Sequence, residues 1–255
     1  MDDLTVVAVD WSGREAADQI NAIRAAAVFP DGTVDVWFDL RREDVIEELV
    51  ALDAGRVVVG FDFSFGFPEW VGRLHGCTSA PEMWPIVARH AEEWIAQCPD
   101  PFYAKNGKKC GLASGLLRNT ERALRAKSTF QLAGAGHVGT GSLRGMPLLR
   151  RLRDGGFDIW PFDSASARTA VEIYPSALRA RSTALPVPSH LLRAVRNNEN
   201  TRDAVQSAAV MWAHRDALAN LRATDDPTVR LEGQIWVPED VEVVTRAGVA
   251  ADDAR

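Results

Sequence analysis

Leu4-Thr5-Val6-Val7-Ala8-Val9-Asp10 and Arg56-Val57-Val58-Val59-Gly60-Phe61-Asp62 decide how this chain folds. Each is a short, β-branched apolar run that ends in an aspartate. Turn-prone residues follow both: Trp11-Ser12-Gly13 after the first, and Ser64, Gly66 and Pro68 after the second. Apolar runs of this length read as strands buried on both faces. In α/β sheets the carboxyl ends of strands are where ligands bind. If the two strands are parallel neighbours, their carboxylates stand about 5 Å apart. Two unneutralised carboxylates at that spacing repel, and a divalent cation is their natural counter-charge. A lone strand-end aspartate often does no more than cap a turn; a pair of them makes a candidate site.

Outward from these runs, Ile20–Phe29 and Thr33–Phe38 read as strands joined by the turn Pro30-Asp31-Gly32, an antiparallel hairpin. Arg41–Ala54 has the apolar spacing of an amphipathic helix stopped by Gly55. Helices are expected over Pro81–Gln97, near Gly115–Lys127, over Met146–Arg153 and over Asn200–Leu221. Short strands are expected at Gly156–Phe162 and Thr169–Tyr174, with a strand-like piece at Gly233–Pro238. Gly134–Gly145 reads as a Gly-rich loop. The sum is an α/β fold, a mixed sheet flanked by helices. It is expected to form one domain over residues 1–246, with a basic helical and Gly-rich insertion at about 101–153 and a loose tail at 247–255.

Composition narrows the class. The 255 residues are 46% hydrophobic and 25% charged, inside the ordinary globular range. Three cysteines without a CxxC pair suit a reducing compartment rather than a disulfide framework. The start, Met1-Asp2-Asp3-Leu4, is acidic and lacks the look of a signal peptide. No apolar run approaches the roughly 20 residues that span a bilayer, so a cytoplasmic protein without a membrane partner is expected. The net charge of −6 hides a segregation: between Pro101 and Arg153 eleven basic residues meet the single acid Glu121. That stretch carries +10 and the remainder −16, which suggests a face built to meet phosphate. Lys105, Lys108, Lys109, Arg118, Arg122, Arg125, Lys127, Ser142 and Arg144 are the candidate nucleic-acid contacts. The bland alternative is a set of solvated helix faces that pair across the fold.

Two more acids qualify for the site. Glu172, set among Val171, Ile173 and Tyr174, is costly in a strand unless paired or metal-bound. Alternation could instead aim it at solvent. Asp203 opens the long helix, where the helix dipole favours an acid. Asp216, thirteen residues on, faces another way.

The ordered motifs VVAVDWSG, GFDFSFGFP, VEIYPSAL, TRDAVQSAA and EGQIWVP resemble the prokaryotic family called domain of unknown function 429. GTGSLRGMP and IWPFD resemble one of its subgroups. The likeness runs from about Leu4 to Pro238 and implies an RNase-H-like fold with predicted nuclease activity. It also implies Asp10, Asp62, Glu172 and Asp203 in the family's acidic positions, holding Mg²⁺ or Mn²⁺. The chemistry would be phosphodiester hydrolysis, with two ions about 3.5–4 Å apart activating water and steadying the leaving oxygen. One departure stands out: Gln206 occupies a position that is often acidic in the family. Trp11 and Phe63, beside the acids, are candidates for stacking on bases, though such residues more often simply pack.

Other signals weigh less. Gly134-Ala135-Gly136-His137-Val138-Gly139 matches GxGxxG, but further glycines delay the helix that a dinucleotide site needs. His75, Cys77, Cys98 and Cys110 fit no zinc spacing, and His137 and His214 lack a nucleophile partner. Two rivals stay open: an ATP-dependent phosphotransferase of the actin-like or sugar-kinase type, and a non-catalytic nucleic-acid-binding protein on the same fold.

Overall fold

The structure is a computed structural model that describes residues 3–15, 18–112, 114–134, 138–179, 188–189 and 191–239. Among these residues six strands form one mixed sheet: β1 (Leu4–Asp10), β2 (Arg24–Val28), β3 (Val34–Trp37), β4 (Arg56–Phe61), β5 (Asp158–Ile159) and β6 (Arg168–Glu172). Their order is β3-β2-β1-β4-β6-β5. The first three make an antiparallel meander, while β4 and β6 run parallel to β1, and β5 parallel to β6. The connections reflect this. A tight turn at Gly32 serves the β2–β3 hairpin, helices lie in the connections from β1 to β4 and from β4 to β6, and a helix-free stretch over residues 160–167 joins β5 to β6. The two Val-rich runs are central neighbours, every residue of β1 and β4 before the terminal aspartate being buried except Arg56.

Helices cover both faces. On one lie α1 (Arg42–Ala51), α3 (Ala80–Gln97) and α5 (Val138–Asp154), packed on Val7, Val9, Val57, Val59 and Phe61. On the other lies α8 (Glu199–Ala213), packed on Val6, Ala8, Ala26 and Val58. Small residues set how close α8 comes. Ala204 and Ala208 of the helix face Ala8 and Ala26, and a Cβ on Gly60 would stand 2.7 Å from Met211 Sδ. The remaining helices are α2 (Glu69–Leu74), α4 (Asn119–Leu124), α6 (Pro175–Arg179), α7 (Leu192–Asn197), α9 (Arg215–Leu218) and α10 (Pro227–Glu232).

Several expectations shift. The Gly-rich stretch is not a loop from Val138 onward; it is the first half of α5. Glycine costs about 1 kcal/mol in a helix interior relative to alanine, and close packing offsets that cost here. A Cβ on Gly145 would lie 2.7 Å from the Phe63 ring, and a Cβ on Gly13 would lie 2.4 Å from Gly141 N. Residues 135–137 of the GxGxxG match, His137 among them, and the tail at 247–255 fall outside the described residues. The helix expected to Leu221 breaks at His214, whose backbone (φ −110°, ψ 22°) leaves helical geometry. The helix expected near Gly115–Lys127 shrinks to α4, and Gly233–Pro238 contributes only a bridge between Ile235 and Glu172. Among the described residues no helix is long and apolar enough to cross a membrane.

Candidate functional site

The parallel register of β1 and β4 pairs Val9 with Phe61, so Asp10 and Asp62 come next on adjacent strands. Side chains alternate along a strand. Val9 and Phe61 point into the layer of α1, α3 and α5, whereas Ala8 and Val58 point toward α8. Asp10 and Asp62 share the parity of the second set and therefore face α8. There the close-packed helix brings Asp203, on its second turn, to the same carboxyl edge.

The electrostatics report the crowding. Burial, then Asp62 and Asp203, push the Asp10 carboxyl well above its ordinary range, with Arg24 opposing. Burial, then Asp203 and Glu172, push Asp62 up to about 7. Asp203 is also raised by burial, but Arg179 opposes the shift, its Nη2 donating to both carboxylate oxygens at 2.8 and 2.9 Å. A cleft of about 260 Å³ opens here, lined by Asp10, Asp62, Ser12, Arg14 and Asn200 among others. Its β1 side is clamped: Arg42 donates to the carbonyls of Ser12 and Arg14, Arg144 to that of Gly13, and Trp11 Nε1 to that of Gly141. Among the described residues no three His, Cys, Asp or Glu side chains converge at metal-ligating spacing. Asp10 and Asp62 stand next in register on adjacent strands, and Asp203 is engaged by Arg179.

Glu172 is not the fourth member. It pairs in register with Phe61 and so points to the opposite face of the sheet. There it accepts from Arg118 Nη1 at 2.8 Å and Nη2 at 2.5 Å, and from the Phe65 amide at 2.9 Å. Arg118 also donates to Glu121 and to Ser64 Oγ, and its side chain is wholly buried. Burial works against the Arg118 charge, but Glu172 and Glu121 outweigh it and raise its pKa. Both Glu172 oxygens are thus committed to a buried ion pair.

The basic segment divides in the same way. Arg118 and Ser142 lie fully buried, so neither forms part of a surface; Ser142 Oγ accepts from the Ser64 amide. Arg144 pairs with Glu92 through Nε and Nη2 at 2.7 Å and is a clamp, not a phosphate contact. Lys105 and Lys108 close the end of α3, donating to the carbonyls of Ile95 and Cys98. Lys109, Arg122, Arg125 and Lys127 are exposed and make no ion pair among the described residues. Lys127 borders the narrow crevice that Asp62 also lines. Trp11 and Phe63 are core: their rings pack 4.9 Å apart under α5. Cys77, Cys98 and Cys110 are free thiols.

Two residues at the edge escaped the sequence reading. Arg24 stands opposite Asp10 across the β1–β2 pair, a partnership visible only once the register is known. Arg179 follows the VEIYPSAL motif directly, and a cation so near a strand end beside acids is a signal that could have been used.

No protein-family model matches the chain, and no curated protein or solved structure matches it either.

Proposed function

We propose that this chain hydrolyses phosphodiester bonds of nucleic acid with Mg²⁺ or Mn²⁺, on an RNase-H-like sheet, and that Asp10 and Asp62 hold the cation. Kinship with domain of unknown function 429 is part of the same proposal and rests on the ordered motifs. The observation that carries it is the side-by-side placement of two strand-end carboxylates whose proton affinities are raised by burial and by neighbouring carboxylates. Hard carboxylate oxygens at that spacing suit a divalent cation. The three-stranded meander continued by parallel strands supports the RNase-H-like fold.

A cation bound there would activate water and neutralise charge developing on the phosphodiester. The chain's own groups do the rest. Asp10 and Asp62 bind, Asp203 is the reserve ligand once Arg179 lets go, and Arg24 offsets part of the negative charge. The clamped Trp11–Arg14 loop keeps one side of the cleft rigid, and Lys127 offers positive charge to a phosphate beside Asp62. Glu172 leaves the ligand set and becomes scaffold.

The test is Mn²⁺ titration of the wild type, Asp10→Asn and Asp62→Asn. In parallel, cleavage of labelled single-stranded DNA, duplex DNA and RNA is followed. The wild type should bind and cleave, and each variant should lose at least tenfold in Mn²⁺ affinity together with activity. Asparagine caps a turn nearly as well as aspartate, so a capping role would leave folding and binding alike unchanged. Equal Mn²⁺ binding by all three proteins ends the reading. ATP turnover with a hydroxyl acceptor, and none with nucleic acid, would move the chain to the phosphotransferases.

A further inference from the structure

The basic segment takes part in enclosing a second cavity, which shares no lining residue with the carboxylate cleft. It measures about 240 Å³, and Phe67, Trp70, Trp94, Phe102 and Phe130 line it. Phe67, Phe102 and Phe130 are buried and make the floor, Phe67 and Phe130 being stacked at 5.7 Å with Phe102 edge-on to both. Trp70 and Trp94 are only half-buried and rise from it, 5.9 Å from Phe130 and 5.6 Å from Phe102. Leu74, His75 and Asp100 stand at the mouth, and Leu74 is 74% exposed. A large aliphatic side chain left in water beside two half-exposed indoles makes an apolar patch at the edge of the cavity.

The geometry points to a pocket for one unstacked nucleobase of a single-stranded nucleic acid. Flat aromatic walls suit a flat ring, and stacking is indifferent to which base enters. The mouth is polar where the edge of a base would lie. The Asp100 carboxylate can accept from ring N–H and amino groups, and the His75 imidazole can meet a carbonyl or ring nitrogen. One Asp100 oxygen already pairs with Lys108, so the other is the one a base would meet. Positive charge for the attached phosphate comes from Lys109, which is exposed, while Lys108 is held by Asp100 at 2.8 Å and by the Cys98 carbonyl. The volume falls below the roughly 300 Å³ at which pockets for drug-sized ligands begin, which admits one ring system and excludes a base pair. Phe67 is five residues from Asp62 on the same loop, so the chain separates them by at most about 18 Å. A short strand spans that distance. The inference rests on the nucleic-acid reading of the carboxylate site and specifies its substrate: a strand with unpaired bases.

Fluorescence anisotropy with labelled short oligo(dT), oligo(dA) and a duplex of equal length, in EDTA, tests the pocket apart from the metal. Trp94→Ala should weaken single-strand binding about tenfold and leave duplex binding unchanged, while Trp94→Phe should restore most of the loss. Leu74→Glu alters an exposed side chain and spares the fold even if Trp94→Ala does not. It places a carboxylate at the mouth and should weaken single-strand binding alone. Wild-type affinity of Trp94→Ala and Leu74→Glu for both oligonucleotides overturns the pocket and leaves it to an apolar peptide side chain. That result, with cleavage still dependent on Asp62, sinks the pocket while the nuclease stands. Weakened single-strand binding in a protein that binds no Mn²⁺ keeps the pocket and sinks the nuclease.

Discussion

Asp62 and Glu172 are one register position apart on neighbouring parallel strands and point to opposite faces of the sheet. That single step separates a carboxylate in the candidate site from one that anchors a buried arginine. On the α8 face Asp62 repels Asp10, whereas the carboxylate on the far face is ion-paired with Arg118. The candidate site therefore draws its carboxylates from the ends of β1 and β4, and β6 supplies a brace behind them.

The brace predicts a stability effect separable from metal binding. Arg118→Met leaves Glu172 and Glu121 buried without their counter-ion and should cost about 3–5 kcal/mol. Adding Glu172→Gln to it should recover part of that loss. Arg118→Lys should rescue poorly, because an ammonium cannot reproduce the forked contacts. Urea unfolding measures all three. If Glu172→Gln instead keeps full stability and loses Mn²⁺ affinity, Glu172 is a ligand after all.

Stability without metal should fall as pH rises. Asp62 has a folded-state pKa of about 7 against an ordinary 3.8, so the folded chain holds a proton that the unfolded chain has released. Its contribution is fully present below about pH 4 and is lost through about pH 7. Asp10 shifts in the same direction. In EDTA the thermal midpoint should therefore be higher at pH 5.5 than at pH 8 by more in the wild type than in Asp62→Asn. Mn²⁺ competes with those protons, so its affinity should climb over the same interval. An identical pH profile for wild type and Asp62→Asn would show that Asp62 does not titrate there.

The two Val-rich runs and their terminal aspartates were legible because alternation and strand-end position are local properties. Asp10 and Asp62 share a face whatever their neighbours do, once their strands pair in parallel. Glu172 was not legible in the same way, since its face depends on which residue of β4 it meets. Composition misread Gly139, Gly141 and Gly145 as loop, because propensity is overruled where a helix must approach Phe63 and Gly13 closely. Counting charge between Pro101 and Arg153 likewise overstated the exposed basic face. Arg118, Arg144, Lys105 and Lys108 spend their charge on internal carboxylates and carbonyls.

What is left of that face gives a sharper test. Arg122, Arg125 and Lys127 are exposed, and Lys127 lines the same crevice as Asp62. Changing all three to Gln should weaken nucleic-acid binding. It should also reduce the salt slope by up to about 0.9 for each duplex phosphate that the protein no longer neutralises. Changing Arg144 to Gln should loosen the cleft loop and leave the slope alone. An unchanged slope in the triple variant makes those three cations ordinary surface residues.

Arg179 sets the last expectation. Its Nη2 donates to both oxygens of Asp203, and its side chain is 46% exposed. Asp203 is only 13% exposed, but with the cation half in water the pair is worth on the order of 1 kcal/mol, small enough for a divalent cation to displace. If Asp203 joins Asp10 and Asp62 around that cation, binding must first break the pair. Arg179→Ala should then tighten Mn²⁺ binding by up to about fivefold, the factor that 1 kcal/mol allows. Removing the cation that does most to relieve Asp203 should also lower the metal-free thermal midpoint slightly. The assignment is settled by a double-mutant cycle. In an Asp203→Asn background, Arg179→Ala should no longer change Mn²⁺ affinity, because the pair it released is already gone. Mn²⁺ affinity that drops in Arg179→Ala, or rises equally in both backgrounds, removes Asp203 from the ligand set and leaves Asp10 and Asp62 as the only pair.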